Sequence, residues 1–282
     1  MIPEKYLTSL IARAFEEDLG DGDHSTLSCI DKSEQGKAKL LVKQNGIIAG
    51  VEVAKAVCNY LSKDLKLNIF IQDGTPVKVG DIVFELSGPQ HDILSAERTI
   101  LNFMQRMSGI ATVTAEYVKE LQGLHTKVLD TRKTTPGLRL IEKEAVKIGG
   151  GTNHRIGLYD MIMLKDNHID YAGGIEKAVA KARKYLQDTG RNLKIEVETR
   201  NLDDVREVLR IGGVDRIMLD NFDIPTTREA VKIIGGKVET ESSGGITISN
   251  IRQYAECGVD FVSIGALTHQ IKSLDLSLKA VK

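Results

Sequence analysis

Arg132, Lys133, His154, Arg155 and Lys165 put cationic side chains close together in the chain, and Glu198 and Asp220 follow as carboxylates. Arginine grips a planar carboxylate through two parallel hydrogen bonds, and lysine offers a point charge to a phosphate. His154 can donate to the same anion, although a lone histidine is more often structural. Two carboxylates can hold Mg²⁺, usually through water and substrate phosphates, or can bind ribose hydroxyls. Two glycine turns complete the set. Ser243-Gly244-Gly245 precedes a helix expected near Ser249, and Gly265 follows a predicted strand. Backbone N–H groups at such turns can approach a phosphate closely, because glycine has no side chain in the way. Together these residues call for small, multiply anionic substrates carrying phosphate and carboxylate.

The elements that must position them alternate. From about Gly123 the predicted strands are Lys127–Asp130, Met161–Leu164, Lys194–Val197, Arg216–Leu219, Lys237–Thr240 and Asp260–Ile264. Helical patterns separate them at Ile175–Leu186, Leu202–Ile211, Thr226–Ile234 and Ile248–Ala255. Short apolar strands alternating with helices indicate parallel βα units, hence a barrel or a doubly wound sheet. The chemistry-bearing residues fall at or just past the C-terminal ends of these strands. Thr131, Arg132 and Lys133 follow the first, and Lys165 to His168 the second. The third carries Glu196 and Glu198, and Asp220 and Asn221 close the fourth. Glu241 to Gly245 follow the fifth, and Gly265 and Ala266 the last. Parallel α/β folds build their sites at this end, with phosphate commonly bound after the last strands of a barrel.

Up to about residue 108 the pattern differs. Lys37–Val42 and Leu65–Ile71 read as strands, Val77–Leu86 as a hairpin around Gly80-Asp81, and Val51–Leu61 and Asp92–Met107 as helices. This is an α+β grammar and sets a boundary near residue 108, between a domain over 1–108 and one over 109–282. In the segment linking the first two barrel strands, Thr135-Pro136 predicts a helix N-cap and first position. Leu138, Ile141, Ala145 and Ile148 share one face, and Gly149 ends the helix. Lys143 and Lys147 are then expected in solvent.

The chain as a whole is nearly neutral, with a formal net charge of −1, which gives no reason to expect nucleic acid or an anionic membrane as a partner. Three well-separated cysteines, Cys29, Cys58 and Cys257, form no CxxC pair and are expected as small buried hydrophobes in a reducing cytosol. The N-terminal segment reads as an amphipathic helix and no apolar run has the length of a membrane span, so a cytoplasmic location is expected. A phosphate loop of the Walker type, a GxGxxG turn after a first strand and a GxSxG elbow are all missing from the sequence, which disfavours kinase, dehydrogenase and serine-hydrolase chemistry.

The segments ERTILNFMQRMSGIAT, DTRKTTPGLRLIEKEAV, GGGTNHRIGLYDMIMLKDNH, IEVET, IMLDNF, ESSGGI and VDFVSIGALTH, in order over roughly residues 18–270, resemble the quinolinate phosphoribosyltransferase family. The resemblance implies an N-terminal α/β sandwich domain and an open, incomplete TIM-like α/β barrel; the sequence leaves open whether the tail over about 269–282 packs back on the first domain. It implies a homodimer in which the N-terminal domain of one subunit closes the barrel of the other, with larger assemblies left open. The implied reaction joins quinolinate to phosphoribosyl pyrophosphate with Mg²⁺ and yields nicotinate mononucleotide, pyrophosphate and CO₂ for NAD synthesis. By the same resemblance Arg132, Lys133, His154 and Arg155 form the quinolinate pocket, with Thr131 beside them, and Lys165 lies between the two substrates. Glu198 and Asp220 are the acidic pair near ribose and Mg²⁺, met directly or through substrate and water. Ser243, Gly244 and Gly245 with Ile264, Gly265 and Ala266 cradle the 5′-phosphate, and Arg98 is donated across the dimer. Lys133, Lys165, Glu198 and Asp220 are the expected catalytic residues. The alternatives are a related phosphoribosyltransferase acting on nicotinate, a relative associated with molybdenum-uptake genes, and a non-catalytic sensor of phosphorylated metabolites. The sensor does not need both Glu198 and Asp220. Gly20-Asp21-Gly22-Asp23 also fits the family, but an Asx-rich turn explains it without chemistry.

Overall fold

A computed structural model describes residues 2–281. The first part of the chain forms α1 (Glu4–Leu19), α2 (His24–Cys29), β1 (Gln35–Val42), β2 (Gly46–Ile47), α3 (Val51–Leu61), β3 (Lys66–Ile69), β4 (Pro76–Val77), β5 (Ile82–Pro89) and the long α4 (Gln90–Glu120). There follow β6 (Lys127–Leu129), α5 (Arg139–Ile148), β7 (Ile162–Leu164), α6 (Asp166–Ala172), α7 (Ile175–Thr189), β8 (Ile195–Thr199) and α8 (Leu202–Ile211). The remainder is β9 (Arg216–Asp220), α9 (Ile224–Ile234), β10 (Glu239–Ser243), α10 (Ile251–Ala255), β11 (Phe261–Ser263), α11 (Ala266–His269) and β12 (Leu276–Ala280). Two compact units result. One gathers the chain up to Ala115, Thr134–Gly150 and the segment from Leu267, and the other holds Glu116–Lys133 and Gly151–Ala266. A division at residue 108 falls inside α4, which runs on without a break.

The first unit is built on an antiparallel sheet in the order β12-β1-β5-β3. β1 alternates so that Ala38, Leu40 and Val42 point into the core, and Phe84 and Leu86 of β5 are fully buried. Each such large side chain contributes roughly 1.5–3 kcal/mol by leaving water. α4 buries Ile93, Ala96, Ile100, Met104, Met107 and Ala111, a helical stripe at intervals of three and four. The Asp23 carboxylate accepts from the Thr26 N–H at 3.1 Å and caps α2, so the Asx-rich turn has a structural use. The expected hairpin over Val77–Leu86 does not form. Both edges of β5 are taken by β1 and β3, and β4 pairs with β2 instead. Gly80, at φ 96°, still makes the predicted turn.

Helix α5 starts later than its sequence suggests. Gly137 adopts φ 82°, so Thr135–Leu138 forms a separate turn and Leu138 takes the N-cap position without a side-chain cap. Its acidic residue explains the turn: the buried Glu142 accepts from the Thr135 N–H at 3.2 Å and pairs with Arg106 at 2.6 Å. Lys147 is exposed and paired with Glu144, as a solvated lysine should be. Lys143, expected in solvent, is buried at 1% exposure, because α5 is enclosed on more of its circumference than one apolar stripe suggests. Cys58 and Cys257 are buried as expected, but Cys29 is exposed at the end of the short α2.

The second unit is a six-stranded parallel sheet in the order β6-β11-β10-β9-β8-β7. The outer edge of β6 carries a bridge from Leu129 to Thr152, so the chain entering the β7 unit lines that edge. All five residues of β8 and four of β9 are buried, the pattern of strands covered on both faces. This is an open, incomplete α/β barrel. None of the helices among the described residues is long and apolar enough to cross a membrane.

Gly109, on α4, sits where a β-carbon would run into the backbone carbonyl of Lys272, in the segment leading to β12. Gly109→Ala is expected to cost about 1–3 kcal/mol by overpacking. A urea midpoint equal to that of the unsubstituted chain would mean that this segment has no fixed seat on α4.

Candidate active site

The strand ends of the barrel unit carry a cationic side and an acidic side. On the cationic side, β6 ends at the fully buried Asp130. This carboxylate accepts from the His154 N–H at 2.8 Å and from the Asn153 side-chain amide at 2.5 Å, which fixes the loop that delivers His154 and Arg155. Thr131, Arg132 and Lys133 follow directly, and the Thr131 hydroxyl accepts from the Lys133 N–H at 3.0 Å. Arg155 feels Arg132: burial first, then the neighbouring guanidinium, lowers its pKa from the ordinary arginine value. Two partly buried like charges held together repel, and a bound anion relieves that repulsion.

Beneath this side lies a cluster that reading the strand ends alone does not reveal. His154 Nε2 is 3.0 Å from Glu196 Oε2 on β8 and 3.2 Å from Glu241 Oε2 on β10. Glu241 Oε2 also accepts from Arg216 on β9 at 2.9 Å, and Arg216 reaches Glu239 at 3.0 Å while its guanidinium lies 4.1 Å over the Phe261 ring. A residue from beyond β6 therefore touches side chains of β8 and β10, which requires the sheet to curl around them. Glu196 and Glu241 are fully buried. The three donor groups of His154, Glu196 and Glu241 lie close enough to hold a metal ion. However, Arg216 already occupies Glu241 and the spacings are those of hydrogen bonds, so the cluster is an ion-pair network. The signal for it was in the sequence: Arg216 and Asp220, Glu239 and Glu241, and Glu196 and Glu198 all recur at even spacing, one face of each strand.

Burial pulls the His154 imidazole down, but hydrogen bonds and charge from Glu196 and Glu241 outweigh it and raise its pKa to about 9. Burial, and then the charge of Glu241, raises Glu196 to about 7. Glu241 is opposed by its burial, yet His154 and Arg216 hold it below the ordinary value. The Arg155 N–H lies 2.6 Å from His154 Nδ1, a contact that in the neutral ring leaves the proton on Nε2, between the carboxylates. The carboxylates make the cluster keep its protons to high pH.

On the acidic side, Glu198 closes β8 and Asp220 closes β9. Lys165, just past β7, donates to Glu198 Oε2 at 2.8 Å with about half its side chain exposed. Burial and then the charge of Glu198 raise the Asp220 pKa. A divalent cation would relieve this repulsion, and the oxygen donors suit Mg²⁺, so the residues fit such an ion. Next to them Ser243 ends β10, opposite Asp220 in register. The fifth strand was expected to stop at Thr240, but Asp260 anchors Thr240 and the strand extends through Glu241, Ser242 and Ser243. Gly244 and Gly245 then turn with φ 93° and 63°, and Ile264, Gly265 and Ala266 follow β11. The Ile264 N–H donates to the Leu129 carbonyl. The helix after the glycine turn is only the short α10, starting at Ile251. Arg98 is exposed on α4 in the other unit.

An open parallel barrel with cations, paired acids and glycine turns at its strand ends suits small molecules that carry phosphate and carboxylate. The profile of the quinolinate phosphoribosyl transferase C-terminal domain matches residues 110–279, and that of the N-terminal domain residues 23–108. The chain belongs to the quinolinate phosphoribosyltransferase family. It is 41% identical over 292 residues to the mitochondrial quinolinate phosphoribosyltransferase [decarboxylating] 2 of Nicotiana glauca, covering 98% of this chain and 83% of that protein. It is 42% identical over 272 residues to the probable nicotinate-nucleotide pyrophosphorylase [carboxylating] of Bacillus subtilis (strain 168), covering 96% and 92%. The crystal structure of NadC from Streptococcus pyogenes superposes with a TM-score of 0.94 at 39% identity, covering 100% of this chain and 99% of that one.

The His154 pKa is raised, so the stability it lends is full below the ordinary histidine value near 6.5 and fades as pH rises through 9. The thermal midpoint is expected to fall across that window, by the equivalent of at most about 3 kcal/mol. His154→Gln should flatten the profile there. The same slope in both proteins would assign the pH response to other groups.

Proposed function

We propose that the chain transfers the phosphoribosyl group of phosphoribosyl pyrophosphate to quinolinate with loss of CO₂, giving nicotinate mononucleotide and pyrophosphate for NAD biosynthesis. The observation that carries this reading is the presence, at the strand ends of one unit, of a cationic side with Arg132 beside Arg155 and an acidic side where Lys165 pairs with Glu198. Quinolinate needs two carboxylates neutralised, and Arg132, Lys133 and Arg155 supply that charge, with His154 holding the loop that carries Arg155. Arginine's fork suits a planar carboxylate, and the buried cluster under His154 keeps the imidazole N–H turned inward, where it fixes the ring's position. The ribosyl donor needs anions near a carbon that becomes electron-poor, and Glu198 and Asp220 supply them. Ser243, Gly244 and Gly245 with Ile264, Gly265 and Ala266 offer backbone donors to the 5′-phosphate.

In the step that follows, the pyridine nitrogen attacks the anomeric carbon as the bond to pyrophosphate breaks. Glu198 and Asp220 stabilise the positive charge that develops on the ribose, and Lys165 steadies the departing oxygen. Mg²⁺ held by Glu198 and Asp220, directly or through water and substrate, would offset the charge of the pyrophosphate. The N-ribosylated ring draws electrons from the adjacent carboxylate-bearing carbon. The bond to CO₂ breaks, its electron pair stays on the ring, and that carbon takes up a proton. Cations around the ring favour this loss.

We read the working enzyme as a homodimer in which Arg98 of one subunit serves the site of the other, in a cytoplasmic setting that suits three free thiols. The exposure of Arg98, which leaves it open to a second copy of the chain, supports the shared site.

One assay tests the reaction: quinolinate, phosphoribosyl pyrophosphate and Mg²⁺, with nicotinate mononucleotide and CO₂ both followed and nicotinate supplied in parallel. Product and CO₂ are expected from quinolinate alone. Turnover of nicotinate in its place would move the reading to the other acceptor. Glu198→Gln is expected to lower kcat by about 10²–10³-fold, as loss of a charge-stabilising group does. Full activity in that variant would take the acid out of the mechanism. Arg98→Ala and Glu198→Gln, each impaired alone, should regain activity when unfolded together and refolded as a mixture. A mixture no better than its parts would deny the exchange of Arg98 between subunits.

A further inference from the structure

The structure assigns Asn221 a positioning role: its side chain orients the Asp220 carboxylate while its backbone pins the strand that leads into the Ser243–Gly245 turn, so the two halves of the phosphoribosyl site keep one spacing. Asn221 is the only non-glycine among the described residues with positive φ, at 56°. Asparagine tolerates the left-handed region better than most residues, but strain of this kind persists only where the surroundings hold it. Here three contacts do. The Asn221 N–H donates to the Ser243 carbonyl at 2.8 Å, extending the pairing of β9 with β10 by one residue. The side-chain Nδ2 donates to Asp220 Oδ2 at 2.7 Å. The carboxamide also fills the space that a side chain on Gly244 would need, and Gly244 itself sits at φ 93°.

The left-handed turn makes this geometry possible. In extended backbone, successive side chains of a strand point to opposite faces, and Asn221 would leave Asp220 behind. Turned back, its amide meets the carboxylate of its own neighbour. The amide nitrogen must face Asp220, because its oxygen would set two acceptors against each other. One residue thus fixes the rotamer of the acid and packs against the first glycine of the turn.

The role rests on the reading of Asp220 and the glycine turn as the phosphoribosyl site, and the test separates the two. Steady-state kinetics with quinolinate and phosphoribosyl pyrophosphate are compared for the unsubstituted enzyme, Asn221→Gly, Asp220→Asn and the double variant. Glycine keeps the left-handed turn, so Asn221→Gly removes the amide without adding strain. It is expected to lower kcat/KM for phosphoribosyl pyrophosphate on the order of 10- to 100-fold, as loss of an orienting hydrogen bond does. The KM for quinolinate should stay within about twofold, and in the Asp220→Asn background the further loss should be about twofold or less. Asn221→Asp keeps the shape but exchanges the donor for a second carboxylate, and it should be at least as impaired. Three results would overturn the role: an active Asn221→Gly enzyme beside a crippled Asp220→Asn, an equal loss in both backgrounds, or a fully active Asn221→Asp. An active Asp220→Asn would instead remove Asp220 from the site, and the role of Asn221 with it.

Discussion

Glu241 is the pivot of the barrel unit. One of its carboxylate oxygens meets both His154 and Arg216, and Glu196 meets His154 at the same imidazole nitrogen. A buried carboxylate is tolerated only when its partners restore what water supplied, and here two cations and two acids nearly balance. The network draws side chains of β8, β9 and β10 onto a residue from beyond β6. The geometry of the cationic side follows from it. His154 is held from below by acids and from its backbone by Asp130, so Arg155 and the loop around it have little freedom left.

The charge arrangement also divides the interior from the site. Inside, acids and bases are buried and nearly matched in number. At the rim, Arg132 raises the positive charge around Arg155, and on the other side Glu198, paired with Lys165, raises the negative charge around Asp220. Electrostatic strain at the rim suits a site whose ligands are themselves highly charged, because binding removes the repulsion. Matched charge below keeps that strain from relaxing into the barrel.

Much of this was legible in the sequence. The alternation of strands and helices after Gly123 located all six barrel strands, since short apolar runs bounded by polar ends have few other uses. The strand-end register places Arg132, Lys165, Glu198 and Asp220 at or just past the C-terminal ends of strands, where the structure has them. The misses have physical causes. Lys143 was assigned to solvent because helical periodicity shows which face is apolar, not how far the surroundings wrap around it. The hairpin after Val77 was expected because local turn chemistry was right, whereas strand partners are chosen by distant segments. Arg216 goes unassigned because a charge within a strand reads as a solvent-facing position, and Glu241 reads as part of the loop past Thr240, whereas it lies within β10 and the curled sheet turns it inward. Asn221 was seen only as the polar end of a strand; its backbone angle leaves no mark in the sequence.

The pairing of β12 with β1 sets Ala280 opposite Ala38 and Leu276 opposite Val42. Chains emerge from the ribosome in one direction, at roughly 5–20 residues per second, and domains usually fold as they appear. The sheet of the first unit cannot close in that way. Its strand β1 waits with an open edge until nearly all of the barrel has been made, and the barrel segments are complete before the strand that seals the other unit exists. For that interval β1 carries a row of unpaired amides and carbonyls, the kind of edge that invites pairing with another chain. The lysines of β1, Lys37 and Lys39, stand on the exposed side of that waiting edge, and charge there is what discourages a stranger from taking the place of β12.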